Sequence, residues 1–277
     1  MSEFRAGGQF KLIPDVVKNL MIINGLFFLA TFAVQGLGID LVQSFGLHYW
    51  GSDKFAPYQF VTHLFMHGSF LHIFSNMFML WMFGSQLENF WGPSRFLFFY
   101  LFTGLGAAAL HSVVMGIEMS ALESAAQAFM NNPTPEQFKA FVDNHGGGYF
   151  SQKIYDFIHA WQSSPDDGNY VNRAKNEVQN LVQRKEDIPT VGASGAVFGV
   201  LLAFGMLFPN SVILIPILFF MPVKVKYFVI FYGLFELYAG FQSFSGGSNI
   251  AHFAHLGGML FAFILIKYWN RNSKNFF

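Results

Sequence analysis

The stretch VGASGAVFGVLLAFGMLF, residues 191–208, holds no charged side chain. A helix needs about 20 mostly apolar residues to cross the hydrocarbon core of a bilayer, and this run comes close to that length without interruption. Five more stretches of the same kind surround it. They lie at Val16–Val34, Phe60–Phe83, Phe96–Met115, Lys226–Phe241 and Asn249–Trp269. None shows the alternating ten-residue pattern of a membrane barrel. Only 12% of residues are charged and 53% are hydrophobic, with 38 phenylalanines. Ordinary soluble domains carry about 25% charged residues, so the composition argues against a soluble enzyme and against a disordered chain. The fold class that follows is an all-α polytopic membrane protein with six transmembrane helices.

Charge places the termini. Arg5, Lys11, Lys18, Arg95, Lys224, Lys226, Lys267, Arg271 and Lys274 all fall on one side if the N-terminus is cytoplasmic, whereas the first outer loop carries Lys54. Positive residues in short loops stay inside, so both termini read as cytoplasmic. The first span has no early small-residue cleavage site and reads as an anchor. A shorter apolar run, Ser211–Met221, contains Pro216 and is followed by Pro222; it reads as an interfacial connection. Net charge is +0, which gives no sign of nucleic acid as a partner, and Cys is 0, which removes disulfides and thiolate chemistry.

Gly116–Thr190 breaks the apolar pattern, holding ten of the sixteen acidic residues. Thr134-Pro135-Glu136-Gln137 has the form of a helix start, Gly146-Gly147-Gly148 the form of a stop, and Phe150–Trp161 and Tyr170–Arg184 show helical periodicity. The expected organisation is 1–115 for the N-terminal segment and helices 1–3, 116–190 for a mostly helical outward-facing insertion, and 191–277 for helices 4–6 and a short cytoplasmic tail.

Polar residues inside spans are costly, so each is a functional candidate. Ser194 sits between glycines where a polar loop enters an apolar helix. There its hydroxyl lies beside backbone N–H groups not yet used by the helix, and such donors can stabilise an oxyanion. The plain alternative is a helix cap, and the string is not the Gly-x-Ser-x-Gly elbow, because Ala196 stands where glycine would be needed. A serine needs a base, and His252 and His255 on the sixth span are the available ones. Gly195 and Gly199 form a small-residue strip on the fourth span; Ala254, Gly258 and Ala262 form one on the sixth. Two such strips let helix backbones approach closely. Glu236 on the fifth span is a candidate orienter, but it reads first as a helix-packing hydrogen bonder, which leaves a Ser/His dyad. His72 and Asn76 share a helix face at i, i+4 spacing and offer two more donors to an oxyanion. His63 and His67 have the same spacing; metal binding competes there with structural hydrogen bonding, and no His-Glu-x-x-His pattern supports it.

Gly-Ala-Ser-Gly at 192–195 combined with Ala-His-Leu-Gly-Gly at 254–258 closely resembles the rhomboid family of intramembrane serine proteases. The resemblance covers about residues 60–270 apart from the insertion. It implies a six-transmembrane-helix rhomboid bundle, with Ser194 as nucleophile and His255 as general base. It implies an oxyanion hole from His72, Asn76 and the Ser194 backbone, with Phe198 packing on the histidine and Gly258 permitting helix crossing. Glu88 and Arg95, near Gly84 and Gly92, match a structural turn after the second span. One departure is Tyr58-Gln59, where the family usually has Trp-Arg; the long insertion is another.

The resemblance implies a serine endopeptidase that cleaves transmembrane or juxtamembrane segments of membrane proteins. The competing class is a non-catalytic rhomboid-like protein that binds membrane helices. No metal or organic cofactor is expected, and the expected partners are membrane-protein substrates and the lipid bilayer. With no organellar transit segment evident in the sequence, a bacterial plasma membrane is the expected location.

Overall fold

The computed structural model describes residues 10–165, 167–215, 221–243 and 252–272. Arg5, Asp166, Pro216, Asn249–Ala251 and Lys274 lie outside the described residues.

Helices dominate. The first, α1 (Asp15–Gln35), starts after Pro14 with Asp15 in its first turn. A carboxylate there suits the partial positive charge of a helix N-terminus. A stronger cap comes from far along the chain. Glu88 is buried, and its two carboxylate oxygens accept the Val16 and Val17 N–H groups at 2.9 and 2.8 Å. It thereby satisfies donors that the helix itself leaves without partners. The loop after α1 holds α2 (Leu41–Phe45) and then α3 (Gln59–Thr62). Gln59 is buried at the centre of that loop, where its amide donates to Lys54 O at 2.9 Å and accepts from Ala56 N at 3.1 Å.

The expected single span at Phe60–Phe83 is broken. After α3 comes a 3-10 turn, His63–Phe65, and then extended backbone at Met66. The helix restarts as α4 (Phe70–Met79), where the Ser69 hydroxyl caps it by accepting from His72 N at 3.2 Å. Gly68-Ser69 is a stop-and-restart signal that hydropathy alone passes over. A π turn at Leu80–Gly84 leads into α5 (Ser85–Trp91), which ends at Gly92 with φ +83°. Pro93 then opens α6 (Pro93–Asn131), 39 residues long. The expected third span and the expected start of the insertion at residue 116 are therefore parts of one rod.

Three shorter helices follow: α7 (Pro135–His145), α8 (Gln152–Ser163) and α9 (Gly168–Glu186). Thr134 caps α7 by accepting from Gln137 N, and the helix stops at Gly146, as the residue pattern predicts. These helices and the far half of α6 enclose a separate apolar cluster that includes Phe129, Phe138, Phe157, Trp161 and Val178. Tyr49 from the loop after α1 joins that cluster.

Next comes α10 (Ser194–Leu207), an apolar helix with ten of its 14 residues buried. A helix apolar on every side belongs at the centre of a bundle, and α10 packs there against α4, α5 and α6. The run from Ser211, read as an interfacial connection, contributes an antiparallel strand pair, β1 (Val212–Ile215) and β2 (Met221–Lys224), with Val212 opposite Lys224. Its Val-Ile-Leu-Ile strand has the β-branched composition that favours such pairing. The chain ends in α11 (Val225–Ser243) and α12 (His252–Asn272), with α12 packed against α10, α6 and α11.

Among the described residues, α1 and α6 are both long enough and apolar enough to cross a bilayer by length and composition, and α10 is apolar but shorter. The other expected spans are helical but differ for physical reasons. The second is broken, α11 carries Lys226 and Glu236, and α12 carries two histidines, Lys267 and Arg271. Large apolar side chains nevertheless face outward along α1 (Leu26, Leu29, Phe32), α4 (Phe70, Leu71, Phe74) and α11 (Phe231, Leu234, Phe235). An exposed apolar surface of that extent is characteristic of a membrane or protein contact.

Candidate active site

Ser194 is the first residue of α10. The first bond inside this helix runs from Val197 N to Ala193 O at 3.0 Å. The N–H groups of Ser194, Gly195 and Ala196 therefore have no acceptor within the helix. The loop that delivers Ser194 is pinned from three sides. Thr190 and Leu47 exchange backbone hydrogen bonds of 2.8 and 2.9 Å, and Gly192 N donates to His63 O at 2.9 Å. His111 Nε2 meets the Thr190 hydroxyl at 2.7 Å. Gly192 has φ +122°, a conformation that L side chains rarely adopt. A Cβ there would also lie 2.6 Å from His72 Nε2 and 3.7 Å from Ser194 Oγ, so the His72 ring sits beside the serine hydroxyl.

Glycines also bring α12 onto α10. A Cβ on Gly195 would lie 3.3 Å from Ala254 O, and one on Gly199 would lie 3.1 Å from Gly258 O. At this separation His255 Nε2 stands 2.8 Å from Ser194 Oγ. Phe198, one turn along α10, stacks flat on the imidazole with centroids 4.1 Å apart and planes inclined by 4°. Tyr232 of α11 also stacks on Phe198, with centroids 5.1 Å apart. On the far side of the imidazole, His255 Nδ1 meets Glu236 Oε2 at 2.9 Å, and His252 Nδ1 meets the same oxygen at 2.7 Å.

Ser194, His255, His72, Phe198, Gly195 and Gly258 are thus brought together. Asn76 is buried one turn along α4 from His72, and its amide donates back to the His72 carbonyl at 3.0 Å. His63 uses Nδ1 on Gln59 O at 2.8 Å, in line with the structural reading of that residue. Glu236 has a more specific position than a general helix-packing role implies. Among the described residues, Glu236, His252 and His255 also form a group whose ligand-type atoms lie within 4.8 Å of one another. Both ring nitrogens of that group point at one carboxylate oxygen, a geometry that hydrogen bonds satisfy fully.

His111 and Leu47 hold the serine loop but were not among the sequence candidates. His111 lies on the same long apolar helix as the third span, and only its fold-level neighbour, Thr190, reveals what it does.

A rhomboid-domain family model matches residues 54–122 and 171–271. The chain belongs to the rhomboid family, whose members are integral membrane proteins. The unmatched residues 123–170 cover the end of α6, all of α7 and α8 and the start of α9. Two relatives come from Arabidopsis thaliana. Rhomboid-like protein 11, chloroplastic, is 36% identical over 115 residues, covering 39% of this chain and 40% of that protein. Rhomboid-like protein 15 is 27% identical over 120 residues, covering 41% of this chain and 28% of that protein. The chain thus spans well under half the length of either relative.

Proposed function

We propose that this chain is an intramembrane serine endopeptidase that cleaves transmembrane or juxtamembrane segments of membrane proteins. The observation that carries the reading is the 2.8 Å contact between Ser194 Oγ and His255 Nε2 at the open N-terminus of α10. In the reaction, Ser194 Oγ attacks the scissile carbonyl carbon while its proton passes to His255 Nε2. The carbonyl oxygen gains negative charge and takes hydrogen bonds from the Ser194 N–H and the His72 and Asn76 side chains. Collapse expels the amine, which takes the proton from His255. Water, activated by the same imidazole, then releases the acyl group.

The architecture fits this reading as a bundle of six spans: α1, the α4–α5 stretch, the first part of α6, α10, α11 and α12. The outward apolar side chains of α1, α4 and α11 meet lipid. Both termini lie on the cytoplasmic side, and α7–α9 form an outward-facing insertion. A substrate helix must unwind locally before Ser194 reaches it, because its carbonyls are otherwise held in hydrogen bonds.

The test is covalent labelling of purified protein by a fluorophosphonate, together with cleavage of a model transmembrane substrate. Both should be present in the wild type and lost in Ser194→Ala and His255→Ala. A folded wild type that neither labels nor cleaves would make the chain a non-catalytic binder of membrane helices.

A further inference from the structure

We propose that Glu236 is a positioning residue for His255, so that Ser194, His255 and Glu236 form one chain of hydrogen bonds with His252 holding the carboxylate in place. This role rests on the protease reading above and adds a third group to the dyad.

The argument starts from what a buried carboxylate can do. Glu236 is 3% exposed. An ionised carboxylate accepts hydrogen bonds and donates none, and it is costly to bury without partners. Its Oε2 has two, the Nδ1 atoms of His252 at 2.7 Å and of His255 at 2.9 Å. Both rings must then carry their proton on Nδ1. A neutral His255 with its proton on Nδ1 has a bare Nε2, and that atom faces the Ser194 hydroxyl at 2.8 Å. The carboxylate therefore selects the tautomer in which the imidazole can accept the serine proton.

Orientation is divided in the same way. The flat stack on Phe198, with planes inclined by 4°, fixes the plane of the His255 ring. It leaves the ring free to slide within that plane. A hydrogen bond at Nδ1 removes that freedom and aims Nε2 at Ser194. When His255 takes the serine proton, the new positive charge forms 2.9 Å from Glu236 Oε2. A carboxylate on the far nitrogen steadies that charge without itself becoming protonated.

Helix glue alone would also place a Glu between α11 and α12. It would not require that the bond fall on the nitrogen opposite the serine. His252 completes the arrangement from one turn earlier on α12: its Nδ1–H holds Oε2 from a second direction, so the carboxylate stays in place if either bond lengthens.

The experiment uses the full-length protein in detergent. In Glu236→Gln the side-chain amide can present its NH2 to Nδ1, which favours the wrong tautomer. The expected result is a loss in kcat of about 10²–10⁴-fold with KM little changed, as for orienting carboxylates in comparable triads. Glu236→Asp keeps the charge and should recover part of that loss. In parallel, imidazole 15N spectra of the wild type, assigned by the signal missing in His255→Gln, should show His255 protonated on Nδ1. This measurement needs no Glu236 variant to fold. A wild type that labels and cleaves while Glu236→Gln keeps its kcat, or while His255 carries its proton on Nε2, overturns the role of Glu236 alone. A wild type that neither labels nor cleaves fails the protease reading itself, and the positioning role falls with it.

Discussion

Gly195 and Gly258 meet backbone to backbone at the crossing of α10 and α12, so closely that a Cβ on Gly258 would overlap the Gly195 carbonyl oxygen. The carbonyl belongs to a helix backbone, which cannot swing aside as a side chain could. This contact sets the separation at which His255 reaches Ser194. Gly258→Val should therefore force the helices apart, at a cost of about 1–3 kcal/mol or more for overpacking. Thermal unfolding in detergent should show a clear fall in midpoint, and fluorophosphonate labelling should drop with it. A Gly258→Val protein with wild-type midpoint and labelling would mean that this crossing does not set the site.

The donors around Ser194 give a second prediction. His72 stands beside the serine hydroxyl because Gly192 has no Cβ to push it away. Asn76 lies below it on the same helix. Replacing either with Ala removes a donor that matters once the substrate oxygen becomes negative. A single lost donor of this kind costs about 10²–10³ in rate. Steady-state kinetics should show that loss in kcat, with KM nearly unchanged. Loss confined to KM would assign these residues to packing.

Much of this site is legible in the sequence because its parts are short-range. Ser194, Gly195, Phe198 and Gly199 share one helix end, and His255 and Gly258 share another, so small-residue spacing alone predicts their approach. What the sequence hides depends on contacts between distant elements. Glu236 can be ranked only when the register of α11 against α12 is known. Glu88 caps α1 from more than 70 positions away. The break at Gly68-Ser69 falls inside a run whose hydropathy is continuous, so apolar content merges two short helices into one span. The expected third span, α6, runs on past its apolar end because polar residues with good helix propensity continue it.

The loop after α1 and the end of α9 are joined by a charge contact with a defined pH response. Lys54 Nζ lies 2.9 Å from Asp187 Oδ2, and the Ser52 hydroxyl donates to Oδ1 at 3.0 Å. Hydrogen bonding to Lys54, helped by Ser52, holds the Asp187 carboxyl below its usual value. A depressed folded-state pKa contributes stability that is fully present above the unfolded value of about 3.9 and is lost as pH falls through the folded one. The pair is partly exposed, so the effect is small. Hydrogen exchange at the amides of residues 47–56 should rise as the pH is lowered below about 4, after correction for intrinsic rates, and Asp187→Asn should remove that step. An identical pH response in Asp187→Asn would place the titrating group elsewhere.

The last prediction concerns the helices between α6 and α10. Their apolar cluster takes in Tyr49, and the Trp50 ring occupies the space where a Cβ on Gly116 would stand. The helices are thus tied to the loop after α1 as well as to each other. The loop that carries Ser194 is anchored differently. Its bonds run to Leu47, His63 and His111, and none of these lies in α7, α8 or α9. Replacing residues 120–186 with a short Gly/Ser linker should therefore leave the serine loop in place. Fluorophosphonate labelling is expected to survive. Cleavage of a transmembrane substrate is expected to change, because removing these helices uncovers Tyr49 and alters the approach to Ser194. Loss of labelling in a deletion protein that still folds would show that the insertion supplies part of the catalytic machinery. Unchanged labelling together with unchanged cleavage would remove any role for it in substrate access.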